Sequence, residues 1–477
     1  MRLFLAALIL VHLVGLVTAG AALLARQRTP EGAVAWLLAL LAIPWIAVPA
    51  YWVFGRFRFD GYRTARGAGD SPLHEAIEGL AEAVEPWRLP APADPSDPAS
   101  GLRAVERLVR MPFLRGNDAR LLVDGPAIFD ALHRGIDEAE HYLLVQFYTI
   151  RDDETGRELA RRLIRKAEEG IRVHLIYDRI GSYGLSSRWV RELEDAGVEV
   201  RRFESNRRRP GRFQINFRNH RKVLVADGRK GWLGGVNLAN EYLHGDSTLG
   251  PWRDTHMELE GPAVLGLQLS FLEDWYWTCS EVLQLDWTPT PSPVADRIAL
   301  VLPSGPADEV ETASLLVQHA IHSARSRIWI SSPYFVPDEA VTSALELAAF
   351  RGVDVRIIVP RRSDYWLVDM ARFAFKERLL EAGVRIEAWE PGFHHGKSIL
   401  VDDQATSVGT VNFDNRSFRL NFEITGLVVD EAFALRVARM FEADFARCTP
   451  FTLEEVAARP RWFRAAARAA HLFSPLL

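Results

Sequence analysis

"NHRKVLVADG" (219–228) returns later in the chain, reworded, as "HHGKSILVDD" (394–403). Both stretches read His-x-Lys-x4-Asp, with His220, Lys222 and Asp227 in one copy and His395, Lys397 and Asp402 in the other. Each copy continues to a Gly 14 residues after its His (Gly234, Gly409) and to an Asn 17 after it (Asn237, Asn412). The choice of cation carries information. Of 57 Lys and Arg residues only five are Lys, and two of those five stand at matching places in the two copies.

The surroundings repeat as well. "GIRVHLIYDR" (170–179) matches "GVDVRIIVPR" (352–361), and "AGVEVRRF" (196–203) matches "AGVRIEAW" (382–389), at offsets of 182 and 186 residues. In both copies a helical pattern leads through Gly into an apolar, β-branched run, then a second helix, Ala-Gly-Val and another strand. This is alternating α/β writing, with strands covered on both faces. Two matching pairs in the same order mark a duplicated unit. The predicted fold is therefore two tandem α/β half-domains, over 102–290 and 291–449.

Apolar runs at 223–226 and 399–401 place each motif at the entrance to a strand. Side chains alternate faces along a strand, so His and Lys at i and i+2 point the same way. The Asp at i+7 has the opposite parity, and Asp227 and Asp402 are expected to hold the strand or an adjoining loop. Two imidazoles, two ammonium groups and the amides of Asn237 and Asn412 suit a tetrahedral phosphodiester. One His can attack phosphorus while the other protonates the leaving oxygen and later deprotonates the acceptor hydroxyl. That scheme starts with one imidazole neutral and the other protonated. Lys and Asn can stabilise charge on the non-bridging oxygens. Lys does so as a compact point charge, whereas Arg imposes a planar fork.

Each imidazole needs a partner on its other ring nitrogen. Asp254, in "WRDTHMELEG" (252–261), lies 34 residues past His220, and Glu423, in "NFEITGLVV" (421–429), lies 28 past His395. Each is thus expected to serve the His upstream in its own half. No carboxylate, His or Cys cluster has metal-ligand spacing, and Cys279 and Cys448 form no CxxC pair, so neither a catalytic metal nor another cofactor is expected.

Outside the repeat, 3–25 and 32–55 are apolar runs, each near the roughly 20 residues that cross a bilayer. The first exceeds a signal-peptide core of roughly 7–15 residues and a second follows at once, so 1–56 is expected to be a transmembrane helical hairpin. Arg56, Arg58, Arg63 and Arg66 outweigh Arg26 and Arg28 of the connecting loop, placing the catalytic part in the cytoplasm. A Pro-rich linker is expected over 57–101, with a short helix at 74–84. Arg207, Arg208, Arg209 and Arg212 lie in a basic insertion that either gathers anionic headgroups or is simply solvated. The tail, 450–477, reads as a basic amphipathic helix lying on the bilayer or packing on the catalytic part. Aromatic-rich "FLEDWYWTC" (271–279) reads as core. A net charge of −5 does not suggest a nucleic-acid binder.

The doubled His-x-Lys-x4-Asp followed by Gly-x-x-Asn resembles the phospholipase D superfamily. "YWVFGR" (51–56), "NFRNHRKVLVADG" (216–228), "GGVNLANEY" (234–242), "WRDTH" (252–256) and "GTVNFDNRSFRLNFE" (409–423) resemble one branch of it, the bacterial cardiolipin synthases. The resemblance implies a pseudo-dimeric α/β fold with one site between the halves. It also implies transfer of a phosphatidyl group through phosphohistidine, from one phosphatidylglycerol to a second, in a bacterial inner membrane. The active-site residues would be His220, Lys222, His395 and Lys397, with Asn237 and Asn412 at the phosphate; Asp227 and Asp402 belong to the same signature. The resemblance favours His220 as the nucleophile. A membrane-bound phospholipase D, with water as acceptor, is the alternative. One departure stands out: many members carry a hydroxyl residue after the motif Gly, as Thr410 does here, whereas the first half has Gly235.

Overall fold

Strand for strand, the two halves of the chain are built alike. The computed structural model describes residues 2–24, 30–55, 59, 61–62, 72–90, 100–204, 216–472 and 474. Across the first half the strands lie in the order Leu114–Val123, Thr255–Glu260, Lys230–Gly234, Val223–Ala226, Tyr142–Phe147, Arg172–Asp178, Glu199–Phe203. The second half repeats that order with Arg297–Ser304, Asn421–Val429, Ala405–Gly409, Ser398–Val401, Arg327–Ser331, Asp354–Pro360 and Arg385–Trp389. Leu114–Val123 and Arg297–Ser304 pair antiparallel and join the two sets into one sheet path. The central strand "YLLVQF" (142–147) is buried throughout, as a strand covered on both faces must be.

The inner faces of the two halves press together. A Cβ on Gly426 would come 2.1 Å from Met257 Cε of the other half, so a side chain there would displace the end of Met257. Met257, Leu259, Val408 and Ile424 share one apolar core with Phe271 and Trp275 of the helix Val264–Cys279. The "FLEDWYWTC" run is core, as read from its pattern.

Asp227 and Asp402 each end a motif strand in a left-handed turn, with φ of 55° and 51°, a conformation that Asp tolerates better than most side chains. The Asp227 carboxylate accepts the backbone N–H groups of Glu140, His141 and Tyr142, each at 2.8 Å. Asp402 accepts those of Arg325, Ser326 and Arg327, and the Ser326 hydroxyl at 2.8 Å. Each carboxylate fastens the loop that leads into the neighbouring strand, at the end of its own strand remote from the motif His. The signature therefore contains two residues that build the sheet.

The amino-terminal segment departs from a two-helix hairpin. Arg2–Leu24 is one helix, but the second apolar run breaks at Ile43 into Pro30–Ala42 and Pro44–Phe54. Pro44 lacks an N–H and is suited to open a helix rather than continue one. Among the described residues no helix is long and apolar enough to cross a membrane. The three helices pack through Ala19, Ala22, Leu40, Ala47, Val48 and Tyr51.

The described residues of the linker dock on the body. Phe59 stacks on Phe217 at 5.2 Å and meets Trp277 edge-on at 4.9 Å, and the Tyr62 hydroxyl donates to Asp274 at 2.8 Å. The expected short helix spans Pro72–Val84 and buries Leu73, Leu80 and Val84. The tail helix Arg461–His471 packs on Trp366–Glu381, with Phe463 against Phe373 at 5.0 Å and His471 against Phe375 at 4.7 Å. Of its two readings, packing on the catalytic part holds. Arg207, Arg208, Arg209 and Arg212 lie outside the described residues.

Replacing Asp402 by Ala strands three backbone N–H groups and one hydroxyl. We expect a loss of about 1–3 kcal/mol in stability, read as a lower thermal midpoint in detergent, with turnover of the folded fraction within a few-fold of wild type.

Candidate active site

Each motif His sits in a short segment that leaves its own half and pairs with the other. Arg218–Asn219 runs parallel to the start of Asn421–Val429, and the His220 N–H donates to Phe422 O at 2.8 Å. In the same way Phe393–His394 pairs with Trp252–Arg253, and the His395 N–H donates to Arg253 O at 2.7 Å. The residue following each of those carbonyls is a carboxylate, Glu423 in one case and Asp254 in the other. His220 Nδ1 donates to Glu423 Oε2 at 2.8 Å, and His395 Nδ1 donates to Asp254 Oδ2 at 2.7 Å.

The carboxylates are those expected, but their partners are exchanged. Distance along the chain assigned Asp254 to His220 and Glu423 to His395; the fold crosses them. Backbone pairing across the halves is the reason, because it sets each His beside the strand start of the opposite half. Nδ1 is thereby committed as donor on both rings, which leaves each Nε2 to face substrate.

Lys222 and Lys397 are buried at 0% and 3% exposure. Lys222 Nζ donates to the His220 carbonyl at 2.8 Å and lies 5.3 Å from the centroid of Tyr148. Lys397 Nζ donates to the His395 carbonyl. Both motif pairs thus use the same fold of the chain, Lys turned back onto the carbonyl two residues before it. Burial drives both ammonium groups down, Lys397 to about 8 and Lys222 well below its ordinary value; Glu423 and Asp254 oppose both shifts, and the charge on Lys397 adds to the shift of Lys222. Burial likewise lowers His220 to about 4, against the pull of Glu423, and His395 to about 3, helped by Lys397, whose Nζ is 3.1 Å from Nδ1. Shifted down in this way, both imidazoles are neutral near pH 7. Desolvation thus opposes the expected protonation of one ring before an anion binds. Burial alone would raise Glu423 and Asp254, but His220 and Lys222, and His395 and Lys397, hold them below the ordinary carboxylate range.

The two Asn residues differ. Asn237 Oδ1 accepts the Thr149 N–H at 3.1 Å and its Nδ2 donates to the Tyr242 hydroxyl at 2.7 Å, using one of two amide hydrogens. Asn412 Oδ1 is buried with no hydrogen-bond partner among the described residues. Gly235 has a steric reason: a Cβ there would fall 2.0 Å from Asp254 Oδ1. Its counterpart Thr410 accepts the Ile424 N–H at 2.9 Å and donates to Ile424 O at 3.3 Å, so that hydroxyl serves the strand carrying Glu423. Sequence reasoning missed the aromatic surround. The rings of Tyr148 and His220 meet at 4.9 Å, and those of Trp252 and Tyr242 approach His395 at 5.3 and 5.5 Å. Trp252 stood in a quoted motif; Tyr148 carried no signal beyond its place at the end of a buried strand.

Two matches to one family, described as "Cardiolipin synthase, PLD-like domain", cover residues 132–248 and 317–445, one in each half. The chain belongs to this family. A second family, "Phospholipase_D-nuclease N-terminal", matches residues 4–56. Cardiolipin synthase A of Pseudomonas fluorescens is 45% identical over 469 residues, covering 98% of this chain and 97% of that protein. The cardiolipin synthase A of Pseudomonas entomophila gives the same figures. Among solved structures, phosphatidylserine synthase of Haemophilus influenzae matches with a TM-score of 0.59 at 16% identity, over 79% of this chain and 100% of that one. At that identity the likeness speaks for the fold. The cardiolipin synthase family thus accounts for the doubled catalytic half and for the apolar amino-terminal segment together.

Glu423→Gln and Asp254→Asn keep the shape of each carboxylate but can hold the opposite imidazole in the wrong tautomer. Each is expected to lower kcat by about 10²–10⁴-fold with KM little changed. Steady-state kinetics of the two variants, run beside thermal unfolding, check this.

Proposed function

We infer that the chain is a cardiolipin synthase, a phosphatidyltransferase that joins two phosphatidylglycerol molecules into cardiolipin and releases glycerol. The observation that carries this reading is the pair of imidazoles, each hydrogen-bonded to a carboxylate of the other half, set among two buried ammonium groups. One Nε2 attacks the donor phosphorus; the P–O bond to glycerol breaks as the second imidazole delivers a proton to the leaving oxygen. The terminal hydroxyl of the acceptor lipid then attacks the phosphohistidine, its proton passes to that second imidazole, and the P–N bond breaks. Lys222, Lys397, Asn237 and Asn412 bind the non-bridging oxygens. Glu423 and Asp254 orient the rings, while Asp227 and Asp402 act through the scaffold.

Two neutral imidazoles and two desolvated cations describe a site waiting for an anion. A bound phosphodiester offsets the ammonium charges and raises the pKa of the imidazole nearby, so the acid for the first step is made by substrate binding.

Residues 102–290 and 291–449 act as the two catalytic halves, and 1–56 as a multi-pass anchor in a bacterial inner membrane. The exposed Ile9, Leu13, Val17, Leu38, Trp45 and Trp52 support an apolar surrounding for that segment. The anchor keeps the site in the plane that holds both substrates.

Purified full-length protein in vesicles of phosphatidylglycerol alone should yield cardiolipin and glycerol, identified by mass. Phosphatidic acid as the sole lipid product would assign a hydrolase instead. Binding of an inert phosphodiester near pH 6.5 should take up a proton, seen by calorimetry in buffers of different ionisation enthalpy. Its affinity should fall above about pH 8, where Lys397 loses its charge in the free enzyme.

A further inference from the structure

The catalytic groups obey a two-fold relation, but the walls around them do not. Arg218 stands two residues before His220; the matching place before His395 holds Phe393. Arg416 stands four residues after Asn412; the matching place after Asn237 holds Glu241. The site consequently has unlike sides. Around His395 lie the rings of Trp252, Tyr242, Phe393 and Tyr334, at 5.3, 5.5, 5.8 and 6.5 Å. That rim also carries Glu241 and Asp364, the latter accepting the Tyr334 hydroxyl at 2.8 Å.

On the side of His220 the wall is cationic. Arg416 donates to Asn216 O at 2.8 Å and to Asn216 Oδ1 at 3.3 Å, which fixes it beside the segment that carries Arg218 and His220. Arg218 donates to Phe217 O at 3.1 Å and has no carboxylate within ion-pair distance among the described residues. Both Arg side chains are half-buried, outward of the fully buried Lys222. Burial first, and Arg218 next, press the Arg416 guanidinium below its ordinary value, and both cations act on Tyr148 against the His220 ring. Two like charges held together in a half-buried wall repel each other, and an anion placed between them relieves that repulsion.

The product of the proposed reaction has two phosphates bridged by one glycerol. With the donor phosphate at Lys222 and Lys397, the acceptor phosphate must rest one glycerol away. Two residues along an extended strand span roughly 6.6 Å, a distance comparable with that three-carbon bridge. Asp364 disfavours a phosphate on the other side, where Glu241 is ion-paired with Arg151 at 3.5 Å. We propose that Arg218 and Arg416 form a second phosphate subsite, which holds the phosphodiester of the acceptor lipid while its terminal hydroxyl meets the phosphohistidine. This rests on the transferase reading above. The chemistry recognised is a phosphodiester anion; no bond is made or broken at this subsite.

The test separates the two lipids. Exchange of labelled glycerol into phosphatidylglycerol uses the donor site and an uncharged acceptor, whereas cardiolipin formation needs the second phosphate. Full-length Arg218→Gln and Arg416→Gln are assayed for both reactions in phosphate-free buffer. Cardiolipin formation should fall about 10-fold or more, through KM for phosphatidylglycerol, with glycerol exchange within about 3-fold of wild type. Arg416→Lys, which keeps a cation, should recover part of the loss. Equal loss in both reactions, or no loss in either, overturns the subsite. A defect that appears only on adding inorganic phosphate would point to a free-phosphate site and overturns it too. Wild-type protein that exchanges glycerol but makes no cardiolipin would instead refute the cardiolipin synthase reading.

Discussion

Two hydrogen bonds that cross between the halves, His220 to Glu423 and His395 to Asp254, constrain the rest of the molecule. A catalytic imidazole needs a fixed tautomer, and here neither half can fix its own. The His segment of each half must therefore pair with the strand start of the other, and the sheets must come close enough for it to reach. Gly426 lies against the end of Met257 of the other half where the sheets approach, and within the first half Gly235 leaves Asp254 its room. A half-domain by itself would have a His without its carboxylate and a carboxylate without its His. Duplication without association would give no enzyme.

Burial has opposite consequences for the two kinds of group in the site. It lowers the imidazoles until they are neutral, which frees Nε2 as a nucleophile, and it lowers the ammonium groups toward the loss of the charge they need. Glu423 and Asp254 hold the balance: each is ionised, each orients a ring, and each opposes the downward shift of the lysines. Here Lys serves where Arg would not. Its charge is concentrated on one atom that can turn back to the carbonyl of the residue two before it, whereas a planar guanidinium would require donors and acceptors spread across a fork.

Much of this was legible from the chain itself. The doubled motif gave the duplication, and strand parity turned Asp227 and Asp402 away from the site, where the structure has them fastening loops. What failed was pairing by chain distance. Residues 34 and 28 positions downstream looked like partners because contacts within one unit are the default, but a backbone ladder between units overrides sequence proximity. The amino-terminal segment failed for a local reason: Pro44 divides a run that composition alone presents as continuous. Tyr148 and Tyr334 escaped because a tyrosine at the end of a buried strand has no pattern to distinguish core from site.

Two-fold symmetry brings a further consequence. A site made of two identical halves treats both faces of a phosphorus atom alike, which suits a double displacement in which one bond is broken and another made along the same line. It gives no means, however, of telling a donor from an acceptor. Discrimination must come from positions where the repeats have diverged, and in this chain those are the residues just outside the motif. Phe393 answers Arg218 and Glu241, ion-paired with Arg151, answers Arg416, so one wall is aromatic with its acid paired while the other presents two neighbouring guanidinium groups. The core shared by the two repeats can thus perform the chemistry, and the departures from the repeat can give the reaction its direction.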